Sequence, residues 1–178
     1  GNQKAVNKLH EMSFLVYNLV IFPMIAGILI VNKDFVNFFL GQDFQDARYA
    51  IAIMVFRMFF IGWTNIMGIQ ILIPHNKNRE FMLSTTIPAV FSVGLNLLLI
   101  PPLGYIGASI VSVATEGLVW LIQLYFTRSY LKEVKIFPSM LKILLAALLM
   151  YGALYSVQAF MHFSSVVNVL IYAALGSL

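Results

Sequence analysis

A chain of 178 residues that is 61% hydrophobic and only 10% charged has far too few charges for a soluble domain, where roughly 25% of residues are charged. Its mean hydropathy of +0.89 points to a polytopic membrane protein, and the absence of cysteine excludes disulfides, thiolate metal sites and a thiol nucleophile. The formal charge of +4, from 11 basic and 7 acidic residues, is placed as membrane topology places it rather than as a nucleic-acid surface.

The first twelve residues are polar and basic. They lack an initiator Met and the pattern of a signal peptide, and the chain ends inside an apolar run. The sequence therefore reads as an internal or C-terminal piece of a longer protein. The first apolar span covers about 13–31 and contains Pro23, which removes a backbone hydrogen bond and is expected to kink the helix. A mixed loop over 32–48 follows, with Gly41 as its turn or cap.

The second span, about 49–73, carries Arg57. Thr64, Asn65 and Gly68 lie at +7, +8 and +11 from it and form a polar face of the same helix. A short basic turn over 74–80 leads to the third span, about 81–100, where Thr85, Ser92 and Asn96 repeat a one-face spacing. Pro101, Pro102, Leu103 and Gly104 make a tight turn into the fourth span, about 104–126. There Ser109, Ser112, Glu116 and Gln123 share one face, and Gly104 and Gly107 allow close backbone approach. A basic connection precedes the fifth span, about 140–161, and a sixth begins near 165 and is truncated at 178. The expected fold is all-α: one transmembrane helix bundle over 1–178, with five full spans plus a truncated sixth.

Placing the N-terminal end inside puts Lys4, Lys8, Lys77, Arg79, Arg128, Lys132, Lys135 and Lys142 on one side. Only Lys33 and Arg48 then fall outside, beside Asp34, Asp43 and Asp46. Eight against two is a positive-inside asymmetry, so the N-terminal end is expected in the cytoplasm.

Glu116 and Arg57 are the ionisable groups deep within spans. Each costs about 2.5–3.5 kcal/mol at the centre of an inserted helix. Their depths from the outer helix ends are similar, about 18 Å and about 12 Å at 1.5 Å per residue, so an ion pair or a shared polar cavity is sterically open to them. Glu116 is a candidate coupling-ion, proton or substrate-path residue, against a structural, hydrogen-bonded carboxylate. Arg57 is a candidate cationic wall for an anionic substrate, against a side chain that snorkels to the interface. Asn18, Asn65, Asn96 and Gln123 fit interhelical hydrogen bonding better than ligation; Asn65, Asn96, Ser112 and Gln123 complete the candidate pathway.

Enzyme signals are poor. His10, His75 and His162 are isolated, and no metalloprotease, nucleophile-elbow or P-loop motif occurs. No catalytic residue, cofactor, metal or nucleic-acid partner is expected. Asp43 and Asp46 would be the only hint of a membrane glycosyltransferase or polysaccharide polymerase, which is the alternative from another class.

Four stretches resemble the C-terminal part of the Wzx-type flippases of lipid-linked oligosaccharides, within the superfamily of the MATE exporters. They are Phe39-Leu40-Gly41 with Phe44 and Ala47 after a proline-containing helix; Gln70-Ile71-Leu72 followed by Lys77 and Arg79; Asn96 followed by LIPPLGYIGAS; and the SVATE run ending at Glu116. The resemblance covers roughly 10–130. It implies one lobe of a two-lobed bundle around a partly cationic cavity, with the first span as the ninth helix of fourteen. Such a protein moves undecaprenyl-pyrophosphate-linked repeat units across a bacterial inner membrane by alternating access, for capsule, exopolysaccharide or O-antigen synthesis. Its implied partners are the lipid-linked substrate, the bilayer, and the polysaccharide polymerase and chain-length machinery. A sibling exporter of drugs or of lipid II is the nearest alternative.

Overall fold

The computed structural model describes residues 3–132, 134 and 136–160, and among these every regular element is helical. Four α-helices follow in order: α1 (Gln3–Phe39), α2 (Ala47–Asn65), α3 (Asn78–Leu131) and α4 (Ile136–Phe160), with a 3-10 turn at Gln42–Phe44 and a π-helix at Ile66–Leu72 that continues α2. Three stretches are long and apolar enough to cross a membrane, Lys4–Phe39, Ala47–Leu72 and Asn78–Leu131, and a shorter apolar helix covers Met140–Ser156.

Among the described residues four helices are thus counted, against the five full spans plus a truncated sixth expected. The proposed sixth span lies outside the described residues. The third and fourth spans are continuous in one helix of 54 residues, interrupted at a single residue, Gly104, whose φ of 55° and ψ of −133° are non-helical. An L side chain is strained at such angles, so glycine carries the bend. Beyond it the chain folds back. A Cβ on Gly107 would lie 2.3 Å from the carbonyl oxygen of Leu99, and Gln123 reaches Ser84, 39 residues earlier, with a 3.2 Å hydrogen bond. Each arm has about 27 residues, about 40 Å of helix, enough for one crossing.

Two further boundaries differ from expectation. The segment read as a loop from 32 is helical to Phe39, because no helix breaker occurs before Gly41. Asn32 is buried there and its amide donates to the Arg48 carbonyl at 2.7 Å. Gly41, at φ 84°, closes the helix by donating its N–H to the Val36 carbonyl at 3.2 Å. At 37 residues, α1 is about 55 Å long and exceeds the ~30 Å hydrocarbon core. The second difference is the π-helix. Ile73 donates to Gly68 five residues back at 3.1 Å, where periodicity reads as ordinary helix.

α1 packs on α2 and α4, and α2 packs on α3. The core between them is aromatic. Phe14 meets Trp63 with ring centroids 4.7 Å apart, and Trp63 meets Trp120 at 6.1 Å. Buried Asn18 accepts from the Trp63 indole N–H at 3.0 Å, satisfying both polar groups inside an apolar interface. Tyr17 hydrogen-bonds the Met58 carbonyl, with its ring over Gly62, where any Cβ would collide with it.

Candidate functional site

The candidate site forms where α2 faces the returning arm of α3. Arg57, one residue from the midpoint of α2, donates to a single carboxylate oxygen of Glu116 through Nη2 at 2.9 Å and through Nε at 3.3 Å. The two residues are 59 positions apart and meet because the bend at Gly104 brings α3 back across α2. The Arg57 side chain is 40% exposed and that of Glu116 20%. Glu116 makes no other hydrogen bond among the described residues, so its second oxygen retains acceptor capacity.

Glu116 also lines a cleft of about 300 Å³ with Thr64, Asn65, Phe81, Thr85, Thr115, Val119 and Gln123. Three hydroxyls, two carboxamides and one carboxylate around a single phenylalanine ring make a neutral-to-acidic cleft rich in acceptors, with the Arg57 guanidinium bound to its carboxylate. Gln123 is 1% exposed. Its amide nitrogen donates to Ser84, whereas its carbonyl oxygen is buried without a hydrogen-bond partner among the described residues. A buried orphan acceptor in a cleft is a group a hydroxyl-bearing or otherwise donating ligand would satisfy.

Of the six residues expected in a pathway, the fold brings Arg57, Glu116, Asn65 and Gln123 together. Asn96 instead donates to Ser92 one turn away on its own helix at 3.3 Å. Ser112 is half-buried and does not line the cleft. Periodicity placed Thr64 and Thr85 on polar faces without assigning them a role. Thr115 and Ser84 were missed: each bonds a carbonyl of its own helix, at 2.7 Å and 2.6 Å, and small hydroxyl residues carry no signal of what faces them. The next-door position of Thr115 to Glu116 was the available clue.

A larger cavity of about 580 Å³ lies between α1, α2 and α4, lined by apolar residues such as Phe22, Ile25, Phe59 and Leu144, together with Tyr151. It offers no charged group. Among the described residues no cluster of three or more His, Asp or Glu could hold a metal ion.

Two curated proteins are similar to this chain. An uncharacterized membrane protein of Methanocaldococcus jannaschii is 27% identical over 133 residues, 75% of this chain and 26% of its own length. A protein of Escherichia coli K12 named "Putative O-antigen transporter" is 29% identical over 135 residues, 70% of this chain and 31% of its own length. The chain therefore spans about a quarter to a third of the relatives it matches. No family model and no solved structure matches. With the long apolar helices, these distant relatives support a multi-pass membrane protein.

Proposed function

We propose that this chain is part of a flippase that moves a lipid-linked oligosaccharide, an undecaprenyl-pyrophosphate-linked repeat unit, between the leaflets of a bacterial inner membrane. The observation that carries this reading is the Arg57–Glu116 pair beside a polar cleft on helices of membrane-crossing length. Ionisable groups at that depth face protein or a water-filled path, because lipid does not solvate them. The similarity to the E. coli protein supports the same reading.

The mechanism follows from the groups present. A sugar head group must exchange its water for protein donors and acceptors, while the polyprenyl tail stays in hydrocarbon. Thr64, Asn65, Thr85 and Gln123 supply hydroxyl and amide partners. Arg57 supplies the cation a pyrophosphate needs, and Glu116 holds that cation when the phosphate is absent. Phosphate binding at Arg57 releases Glu116, which then carries a proton or coupling ion. Alternating access requires this exchange to favour one lobe arrangement over the other. No bond is made or broken, so the reading assigns no enzymatic activity.

Depletion of the full-length protein tests the proposal. Complete repeat units are expected to accumulate on the cytoplasmic face and to be cleared by wild type, with Arg57→Ala and Glu116→Gln reduced at least tenfold in clearance, about 1.4 kcal/mol. Normal translocation with unpolymerised units outside would overturn it in favour of a polymerase.

A further inference from the structure

A second polar cleft, of about 360 Å³, lies at the end of the bundle where the turn into α3 meets the last turns of the same helix. It shares no lining residue with the Glu116 cleft. Its cations come from two distant segments, Lys77 immediately before α3 and Arg128 in the last turn of α3. Ser129 and Tyr130 add hydroxyls to the wall.

Both cationic heads are held in place. The Lys77 ammonium bonds Glu80 at 2.9 Å, and that hydrogen bond raises its pKa, so it stays protonated across the physiological range. The Arg128 guanidinium stacks over the Tyr125 ring, 4.4 Å from the centroid. Neither Arg128 nor the hydroxyls of Ser129 and Tyr130 have a hydrogen-bond acceptor among the described residues. In sequence, the two segments carry Lys77, Arg79, Arg128 and Lys132 against Glu133 and Glu80, the latter itself in the cleft wall. The donor set suits a phosphate, which accepts from a fixed guanidinium and from neutral hydroxyls together.

The apolar side of the cleft decides which phosphate. Leu72, fully buried, Tyr125 and Phe126 form its wall. From Tyr125 the surface continues one turn down the helix to Leu121, and both are more than half exposed. An aromatic and basic rim at the end of an apolar helix is where a headgroup meets protein and its chains run down the helix. A soluble phosphate has no use for that surface.

We propose that this cleft binds the phosphate headgroup of an anionic phospholipid, with the acyl chains along Tyr125 and Leu121. Full-length protein, stripped of lipid in detergent and titrated with phosphatidylglycerol or phosphatidylcholine under native mass spectrometry, tests this. Wild type is expected to retain phosphatidylglycerol at least tenfold better than phosphatidylcholine. The double variant Lys77→Ala/Arg128→Ala should lose that preference, since a basic residue near anionic lipid is worth about 1 kcal/mol, about fivefold. Lys33→Ala, a change at a distant exposed position, should keep it. Arg128→Gln, which removes one of the two cations and leaves a shorter neutral amide, should lose about half of the preference on a logarithmic scale. Unchanged preference in the double variant would overturn the site. Displacement of phosphatidylglycerol by equimolar inorganic phosphate would overturn the lipid assignment in favour of a soluble anion.

Discussion

Arg57 and Glu116 are tolerable together at a depth where either alone is costly. Removing one partner leaves an uncompensated charge among apolar helices. Arg57→Ala is therefore expected to lower the stability of the full-length protein by about 1–2 kcal/mol, a figure kept small because 40% exposure screens the pair. The double variant Arg57→Ala/Glu116→Gln should recover most of this in thermal unfolding, and equal losses in both would contradict the coupling. Gln123 gives an asymmetric pair of outcomes. Ser84→Ala strands the Gln123 amide and should cost about 1–3 kcal/mol, whereas Gln123→Leu removes a bond and an orphan acceptor together and should be nearly neutral for stability. Gln123→Leu is nonetheless expected to reduce transport, which separates a ligand contact from packing. The two charges and the two carboxamides were legible because such groups are rare in apolar spans. Asn96 and Ser112 obeyed the same spacing yet face elsewhere. Periodicity fixes which residues share a face, and only the packing of neighbouring helices fixes what that face meets.

The bend at Gly104 is the element on which the site depends, since it alone returns Glu116 to Arg57. Gly104→Ala forces an L side chain to φ 55° and should cost about 1–3 kcal/mol. Gly107→Ala is expected to be at least as damaging, because its Cβ would meet the Leu99 backbone, which cannot swing aside as a side chain can. The chain has no cysteine of its own, so Ser84→Cys/Gln123→Cys reports the arms' contact through a short bifunctional thiol cross-linker, which bridges the reach of the Gln123 side chain as a direct disulfide does not. Failure to cross-link, with both single variants folded, would contradict the returning arm. The Pro-Pro-Leu-Gly turn was legible because proline and glycine punctuate a helix strongly. The helical extension to Phe39 was not, since the polar residues of 32–39 look like a loop until Asn32 is seen bonding Arg48. The π-helix was invisible too, as one extra residue per turn depends on how Gly68 sits against Phe81 and Gln123 rather than on composition.

At the scale of the molecule, the outer face of α3 is apolar and open, with Val90, Leu97 and Leu98 each about 70% exposed. Lipid or the remainder of a longer protein must cover that face, as the span of about a quarter to a third of the relatives suggests. The isolated 178-residue chain is expected to be protease-sensitive and polydisperse in detergent beside the full-length protein; a monodisperse, resistant fragment would contradict this. The charge asymmetry makes a separate prediction about sidedness. Asn76→Cys should be labelled only from the cytoplasm and Asp43→Cys only from outside, and the reverse pattern would invert the topology. The most direct test of the central claim is leaflet exchange of a fluorescent undecaprenyl-pyrophosphate-linked saccharide in vesicles containing the purified full-length protein. Wild type is expected to expose the whole lipid pool to an external quencher, while Arg57→Ala/Glu116→Gln leaves the inner half protected. Equal protection with wild type and with empty vesicles would contradict the flippase.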